Sequence, residues 1–226
     1  MGVGASMIAG PSSPGAHHRE ETKLSADQSL AERPTQEALT LTPPGLRALL
    51  RQATQDVHER MHRHDGLAAV MRGTIGQSAY RALLQRLYGF HAPFEIACGL
   101  TSYRSNNLAA DLEALGVNTA TLATLPLCPA LPRLDTPRRR LGARYVMEGS
   151  TLGGRLMARR LDTLFSQGDA GRRFFQDSDA STWTTLLRDL DTASNDPAHH
   201  HEVTSGATET FAAFELWLAG WRGPAS

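Results

Sequence analysis

From Leu46 onward, apolar residues recur every three or four positions, and no stretch alternates apolar and polar residues between turn signals. A period near 3.6 places apolar side chains on one face of a helix, whereas a half-buried strand needs a period of two. The clearest example lies in the segment "LRALLRQATQDVHERM", whose apolar face is predicted to comprise Leu46, Leu49, Leu50, Ala53, Val57 and Met61. The sequence therefore predicts an all-α protein of about seven to nine helices.

The chain divides by composition into a tail and one helical domain. Residues 1–42 are rich in Gly, Ser, Ala, Pro and charged residues and have few large apolar ones. Such a segment buries too little apolar surface to fold, so it is predicted to be a disordered N-terminal tail. The domain is predicted to span residues 43–222, with Thr42 and Pro43 starting its first helix and Asp65-Gly66 ending it.

Charge and cysteine content exclude several classes of protein. The chain has 23 basic and 23 acidic residues, which gives no reason to expect binding to nucleic acid. It has no run of about 18 apolar residues, so no membrane span is expected. Its two cysteines, Cys98 and Cys128, form no CxxC pair, which argues against a disulfide framework or a zinc site. With no signal-peptide pattern at the N-terminus, a cytoplasmic location is expected.

The first helix carries a histidine cluster in "DVHERMHRH". His58 lies beside the apolar face, where a neutral imidazole is a good iron ligand. The alternative is a histidine at the edge of the core that binds a backbone carbonyl. Histidines at 58 and 62 are also spaced to share one metal, and Glu59 with His62 forms an E-x-x-H pair like those of di-metal bundles. A second such pair is missing from the sequence, and the later His199–His201 run is predicted to lie in a solvated turn.

Three glycines interrupt a helical pattern in "YVMEGSTLGGRLMARRL", which is predicted to belong to one helix beginning after Thr136-Pro137. Each glycine inside a helix costs about 1 kcal/mol relative to alanine. Gly149 and Gly153 share one face, so the missing side chains admit either a neighbouring helix or a flat ligand. A histidine on one helix and a strip of bare backbone on another are what a haem held between two helices requires.

Four segments in this order resemble the haem oxygenase family, specifically its bacterial biliverdin-producing branch that is associated with bacteriophytochromes. "LRQATQDVHERM" resembles the proximal segment of that family, and "YVMEGSTLGGRLM" resembles its distal helix with a G-x-x-x-G-G core. "TWTTLLRDLD" and "TFAAFELWL" resemble its last two helices. The resemblance spans roughly residues 46 to 220 and implies a single multi-helical domain with haem between a proximal and a distal helix.

The resemblance assigns roles to residues that surround the haem. His58 falls on the axial iron ligand, and His62 falls where some members have a glutamate that bonds the axial histidine. Arg51 and Arg188 occupy positions of basic partners for the haem propionates. Arg144 falls where some members place a tyrosine that serves the same group.

On the distal side, the resemblance assigns catalytic roles to Gly149, Ser150 and Gly153 and cofactor binding to Gly154. The chain departs from the family pattern at two positions. Many members have an acidic residue after the first glycine, where it anchors the water chain that brings protons, and here that residue is Ser150. An arginine one turn earlier in some members is Val146 here. A hydroxyl forms hydrogen bonds but is a poor proton source.

The activity implied by the resemblance is cleavage of haem to biliverdin, Fe²⁺ and carbon monoxide, with O₂ and electrons from a ferredoxin or a flavoprotein reductase. A bacteriophytochrome is a possible acceptor of the biliverdin. One alternative is a non-catalytic haem or bilin carrier that lacks proton delivery, and another is a di-metal oxidase. The basic residues of 138–140 and 155–160 are predicted to form either a solvated face or a docking site for the acidic electron donor.

Overall fold

This computed structural model describes residues 45–101, 104–165, 168–177 and 180–223. These residues contain ten α-helices and three short 3₁₀ turns. Within these residues there is no strand, so the all-α prediction is confirmed. The count exceeds nine because α5 and α8 are single turns with too few residues to show a period. The helices are α1 Leu46–His62, α2 Asp65–Arg72, α3 Gln77–Cys98, α4 Arg104–Ala114, α5 Thr119–Ala123, α6 Pro137–Gly149, α7 Gly154–Arg160, α8 Arg173–Gln176, α9 Ala180–Ser194 and α10 His200–Leu218.

The predicted tail of residues 1–42 and its junction at Thr42-Pro43 lie outside the described residues. The first helix begins at Leu46 with Gly45 as its N-cap. Among the described helices, none is both long enough and apolar enough to cross a membrane.

The junction of α1 and α2 differs from the prediction. The Asp65-Gly66 pair opens α2 instead of ending α1, which stops at His62. His64 explains this boundary, because its Nδ1 accepts a hydrogen bond from the backbone nitrogen of Leu67 at 3.4 Å and so caps α2. The Nε2 atom of the same ring lies 3.0 Å from the carbonyl oxygen of Leu218, which ties the junction to the end of α10.

Helix α1 is amphipathic, as predicted, but the residues on its buried face differ slightly from the predicted ones. Ala53 is exposed, whereas Thr54 is buried and donates its hydroxyl to the carbonyl of Leu50 at 2.8 Å. This internal hydrogen bond lets a polar residue enter the core at little cost. The buried positions are Leu46, Leu50, Thr54, Val57 and Met61.

Helices α6 and α10 touch backbone to backbone through a glycine on each. A Cβ atom on Gly142 would overlap the carbonyl oxygen of Val203, and one on Gly206 would overlap the carbonyl oxygen of Arg139. Each helix therefore presents a bare position to the main chain of the other, an approach that only glycine permits. Helix α10 also packs against α1 and α3, so this contact sets where α6 lies in the domain.

The start of α6 is as predicted, since the Thr136 hydroxyl accepts a hydrogen bond from the backbone nitrogen of Arg139 at 3.2 Å. The prediction of one continuous helix through the glycines is wrong. Helix α6 ends at Gly149, the turn Ser150–Gly153 is 3₁₀, and α7 begins at Gly154. Hydroxyls favour this break because Ser150 and Thr151 donate to carbonyls three residues earlier, at 2.6 and 2.7 Å.

Two contacts hold α7 and α8 against the rest of the domain. The bare side of Gly154 faces the backbone of Phe175, whose carbonyl oxygen would lie 2.6 Å from an added Cβ. The buried carboxylate of Asp111 on α4 caps α8 by accepting hydrogen bonds from the backbone nitrogens of Arg173 and Phe174, each at 2.9 Å. Helix α7 thus packs on α8, which is anchored to α4.

The histidine run near the C-terminus is only partly a turn. His199 ends a 3₁₀ turn, with its Nε2 atom 3.0 Å from a carboxylate oxygen of Asp196. His200 and His201 belong to α10, so the predicted turn is wrong for these two residues. Asn195-Asp196-Pro197 supplies the turn signal, but its 3₁₀ segment leads directly into the helix.

The α6–α10 contact predicts a sharp contrast between two glycine variants. Gly142→Ala should lower the free energy of unfolding by about 3 kcal/mol, because its methyl group meets backbone that cannot move aside. Gly153→Ala is the matched control, since an added Cβ there meets no atom within 4 Å. Denaturant unfolding of both variants and the wild type tests this, and equal midpoints for the two variants would contradict it.

Candidate functional site

His58 lies on the exposed side of α1, directly after the buried residue Val57. Its ring lies edge to face against His62, with centroids 4.5 Å apart, and 6.3 Å from the ring of Phe211 on α10. Among the described residues, no hydrogen bond engages either ring nitrogen. The alternative of a histidine that bonds a backbone carbonyl describes His64, not His58.

The surroundings of His58 favour its neutral form. Partial burial lowers the pKa of the imidazole, the neighbouring charge of His62 lowers it further, and Glu59 opposes both. A neutral ring keeps a lone pair for a metal ion at physiological pH. The His62 ring thus contacts the His58 ring and its charge lowers the pKa of His58, although no hydrogen bond joins the two residues.

The three glycines of the distal segment have three different environments. A Cβ on Gly149 would lie in ordinary contact with the ring of Trp183 at 3.6 Å, while Gly154 is packed against Phe175. Gly153 has neither a packing nor a conformational reason to be glycine, because its φ is −83° and an added Cβ would meet nothing within 4 Å. Packing alone therefore accounts for Gly154, and its predicted role in cofactor binding stays a prediction.

Tyr145 and Trp183 also belong to this region, although the sequence did not lead us to predict a role for them. Their rings are 5.8 Å apart, and Arg51 on α1 is close enough for its charge to act on the Tyr145 hydroxyl. Burial raises the pKa of Tyr145, and Arg51 partly offsets this effect. Helical spacing could have indicated the place of Tyr145, because it precedes Gly149 by one turn and so lies on the same face.

Arg144 turns toward a different part of the domain. Its guanidinium lies 3.8 Å from a carboxylate oxygen of Asp189 and lines a cavity next to α3. Adjacent residues on a helix point about 100° apart, which places Tyr145, and not Arg144, toward α1. The assignment of Arg144 to a propionate stays a prediction, and Tyr145 is the better-placed residue.

Arg51 and Arg188 are exposed, and neither forms an ion pair with a described carboxylate. Arg188 donates to the hydroxyl of Thr185 at 3.2 Å, one turn earlier on α9. Helix α9 packs against both α1 and α6, so it borders the site. Both guanidiniums thus remain available to an anionic ligand.

Ser150 occupies the first residue of the 3₁₀ turn and is exposed. Its hydroxyl donates to the carbonyl oxygen of Met147 at 2.6 Å, so its proton is already committed to the main chain. The position predicted to be catalytic therefore has a structural hydrogen bond, and its catalytic role stays a prediction.

The two parts of the predicted basic region differ. Arg138 pairs with Glu202 at 3.3 Å, and Arg139 pairs with Glu209, so α10 neutralises much of the first part. Arg140 donates to the carbonyl of Leu134 at 2.8 Å. The second part, on α7, includes the exposed arginines Arg155, Arg159 and Arg160, which makes α7 the better candidate for docking an acidic protein.

The di-metal alternative has no ligand set in the part of the chain that the structure describes. There, no three His, Cys, Asp or Glu side chains are grouped so that they can hold a metal ion. Glu59 instead accepts a hydrogen bond from Gln55 at 3.2 Å.

Comparisons with known proteins agree on one family. The family model described as "Heme oxygenase" matches residues 45–219. A comparison with curated proteins gave no significant match.

Among solved structures, the fold is similar to that of three bacterial proteins. Haem oxygenase-1 of the cyanobacterium Synechocystis, solved with haem, has a TM-score of 0.61 at 16% identity and covers 78% of this chain and 91% of its own. Haem oxygenase of Leptospira interrogans has a TM-score of 0.60 at 16% identity, with 78% and 99% covered. Haem oxygenase-2 of Synechocystis, solved with haem and NO, has a TM-score of 0.60 at 17% identity, with 78% and 84% covered.

The charges around His58 predict opposite effects of two variants on its titration in the ligand-free protein. His62→Gln removes a neighbouring positive charge and should raise the pKa of His58. Glu59→Gln removes a stabilising negative charge and should lower it. Ring-proton NMR across a pH series measures both, with His201 as an internal reference. Shifts in the same direction would contradict this account.

Proposed function

The chain belongs to the haem oxygenase family, whose model matches residues 45–219, and we propose that it binds haem beside His58 and cleaves it to biliverdin, Fe²⁺ and CO. We place it in the bacterial biliverdin-producing branch, with a cytoplasmic location. The electrons come from a ferredoxin or flavoprotein reductase, which we expect to dock on the arginines of α7. A bacteriophytochrome is the proposed acceptor of the product.

The observation that carries this proposal is the open side of Gly153. The bare faces of Gly142, Gly154 and Gly206 are filled by the protein's own backbone. That of Gly153 faces no described atom within 4 Å beyond its chain neighbours and its own stretch of helix. A glycine that neither packing nor backbone conformation requires fits a site where a flat ligand and O₂ approach the main chain.

The donor atoms on α1 fit the same ligand. His58 offers an imidazole whose pKa is lowered and whose nitrogens form no hydrogen bond with a described residue, so it would suit a bond to haem iron. His62 lies against that ring from one helical turn later, where it would orient the imidazole. Arg51 lies two turns before His58 on the same exposed side. Neither Arg51 nor Arg188 on α9 forms an ion pair with a described carboxylate, so both suit the anionic propionates.

The protein's own contribution to the reaction is positioning. Haem supplies the O₂-binding iron and is itself the substrate. His58 would hold the haem from one side, and Arg51 and Arg188 would hold its propionates, so together these residues would set its orientation toward the 3₁₀ turn. Gly149 and Gly153 leave two positions at that turn without a side chain, and the paired rings of Trp183 and Tyr145 would border the site.

A haem or bilin carrier is the second candidate, and the hydrogen bond of Ser150 favours it. The hydroxyl is committed to the Met147 carbonyl, so position 150 has no acidic proton to give. Reduction of the haem complex without oxygen, followed by admission of air, separates the candidates. An enzyme converts the haem spectrum to that of a bilin, whereas a carrier only returns to the oxidised haem spectrum.

His58→Ala should abolish turnover, because it removes the proposed axial nitrogen. The measurement is hemin titration followed by incubation with ascorbate or a reductase in air and identification of the pigment formed. His201→Ala, at an exposed position at the start of α10, is the matched control and should behave as wild type. Full turnover by the His58 variant with an unchanged haem spectrum would exclude the assignment.

A bulky side chain at the open glycine tests the other side of the site. Gly153→Leu should weaken hemin binding or block O₂ without lowering the unfolding midpoint, because its Cβ meets no protein atom. Gly76→Leu is the control, since that glycine is equally open but lies at the start of α3. Normal hemin affinity and turnover in the Gly153 variant would remove the main support for the proposal.

A further inference from the structure

A cavity of about 290 Å³, partly open to solvent, lies against the last turn of α6. Its wall carries both signs of charge and a histidine. These groups come from three helices: His91 and Glu95 on α3, Arg104 on α4, and Arg144 and Glu148 on α6. Nothing in the local sequence pattern indicated this cluster, because its members are far apart along the chain.

Glu95 is the buried acid of this cavity, with 4% of its surface exposed. Its carboxylate accepts hydrogen bonds from the backbone nitrogen of Ser105 at 3.0 Å and from the Ser105 hydroxyl at 2.5 Å. Burial nevertheless dominates and raises the pKa of Glu95, although Ser105 and the charge of Arg104 oppose it. A carboxyl of this kind holds its proton at a higher pH than an exposed glutamate does.

His91 stands beside this acid as a neutral group. It is 2% exposed, its ring packs edge to face on Phe174, and burial, with the charge of Arg104, holds its pKa well below the usual range. Its Nδ1 atom is 3.8 Å from a carboxylate oxygen of Glu95. That gap is too long for a direct hydrogen bond.

The cavity borders the end of α6 that leads into the proposed haem site. Met147 and Glu148 line it, and Gly149 follows directly. The carbonyl of Met147 is the group that receives the Ser150 hydroxyl. A volume near 290 Å³ accommodates several waters, each of which needs about 30 Å³ in the liquid, and the polar wall offers them partners.

We propose that Glu95 holds a proton in this cavity and passes it through water and Glu148 toward the 3₁₀ turn, replacing the acid that position 150 lacks. The proposal rests on the haem-cleaving function proposed above. The Glu95 carboxyl loses a proton to cavity water and regains one from the solvent-open side. Glu95 itself undergoes no redox change, since the electrons come from the donor protein.

Charged and titratable groups face Glu95 from each packed helix. The charge of Arg104 on α4 favours its ionised form. Arg144 and Glu148 on α6 line the same cavity. Cys98 on α3 also lies nearby, and burial raises its pKa to about 12, so it stays a neutral thiol. Glu95 is therefore the buried carboxyl of the cavity, and burial raises its pKa above that of an exposed glutamate.

The first test uses the ligand-free full chain and does not depend on turnover. Infrared titration should show a protonated carboxyl band that persists above the range of ordinary glutamates. Glu95→Gln should remove that band, whereas Glu113→Gln, at an exposed position on α4, should keep it. A band that persists in the Glu95 variant would overturn the assignment.

The second test links that proton to the reaction. Glu95→Gln should slow turnover with hemin, donor and O₂ by about 100-fold, the low end for positioned proton-transfer groups, with hemin affinity unchanged. Glu113→Gln should leave turnover unchanged. Equal turnover in both variants would overturn the relay.

Ser105→Ala keeps the acid but removes a hydrogen bond that lowers its pKa, so it tests the relay even if Glu95→Gln fails to fold. Both the infrared midpoint and the alkaline limb of the pH–turnover profile, where a proton donor loses its proton, should move upward together. Movement of the infrared midpoint alone would overturn the relay. If the wild type forms no bilin, the proposed function fails, and the infrared result still decides whether Glu95 holds a proton.

Discussion

The backbone contact between α6 and α10 determines where the rest of the site lies. Gly142 and Gly206 let the two main chains meet, and any side chain at either position would force the helices apart. Because α10 also packs against α1 and α3, its contact with α6 fixes the position of α6 relative to both. The last turn of α6 then ends beside α1, close enough for Arg51 to act on Tyr145.

The glycines show how far the sequence alone reaches. The pattern at Gly149 to Gly154 was visible because several glycines inside one helical period violate a local preference. Gly142 and Gly206 matter more for the fold but are single glycines in otherwise ordinary helices, and their purpose depends on a partner helix distant in sequence. For the same reason, spacing did not separate Gly153, which is open, from Gly154, which is packed.

Other features were predictable in kind but not in detail. The helical class and the position of His58 on α1 follow from local periodicity. Thr54 is buried where the pattern predicted Ala53, because the Thr54 hydroxyl donates a hydrogen bond to the Leu50 carbonyl. A hydrophobic pattern does not reveal such a bond. The single turn α8 depends on the Asp111 cap from α4, so its own four residues carried no sufficient signal.

Helix α6 has two functional sides because neighbouring residues project in different directions. Tyr145 and Gly149 border the site next to α1, whereas Arg144 and Glu148 line the polar cavity next to α3. One helix thus carries Tyr145 and Gly149 on one side and, on the other, charged groups that line a cavity partly open to solvent. The acid for the reaction need not follow the first glycine in sequence, because a group on α3 reaches the same helix end through the cavity. Serine at position 150 is therefore compatible with an active enzyme of this family.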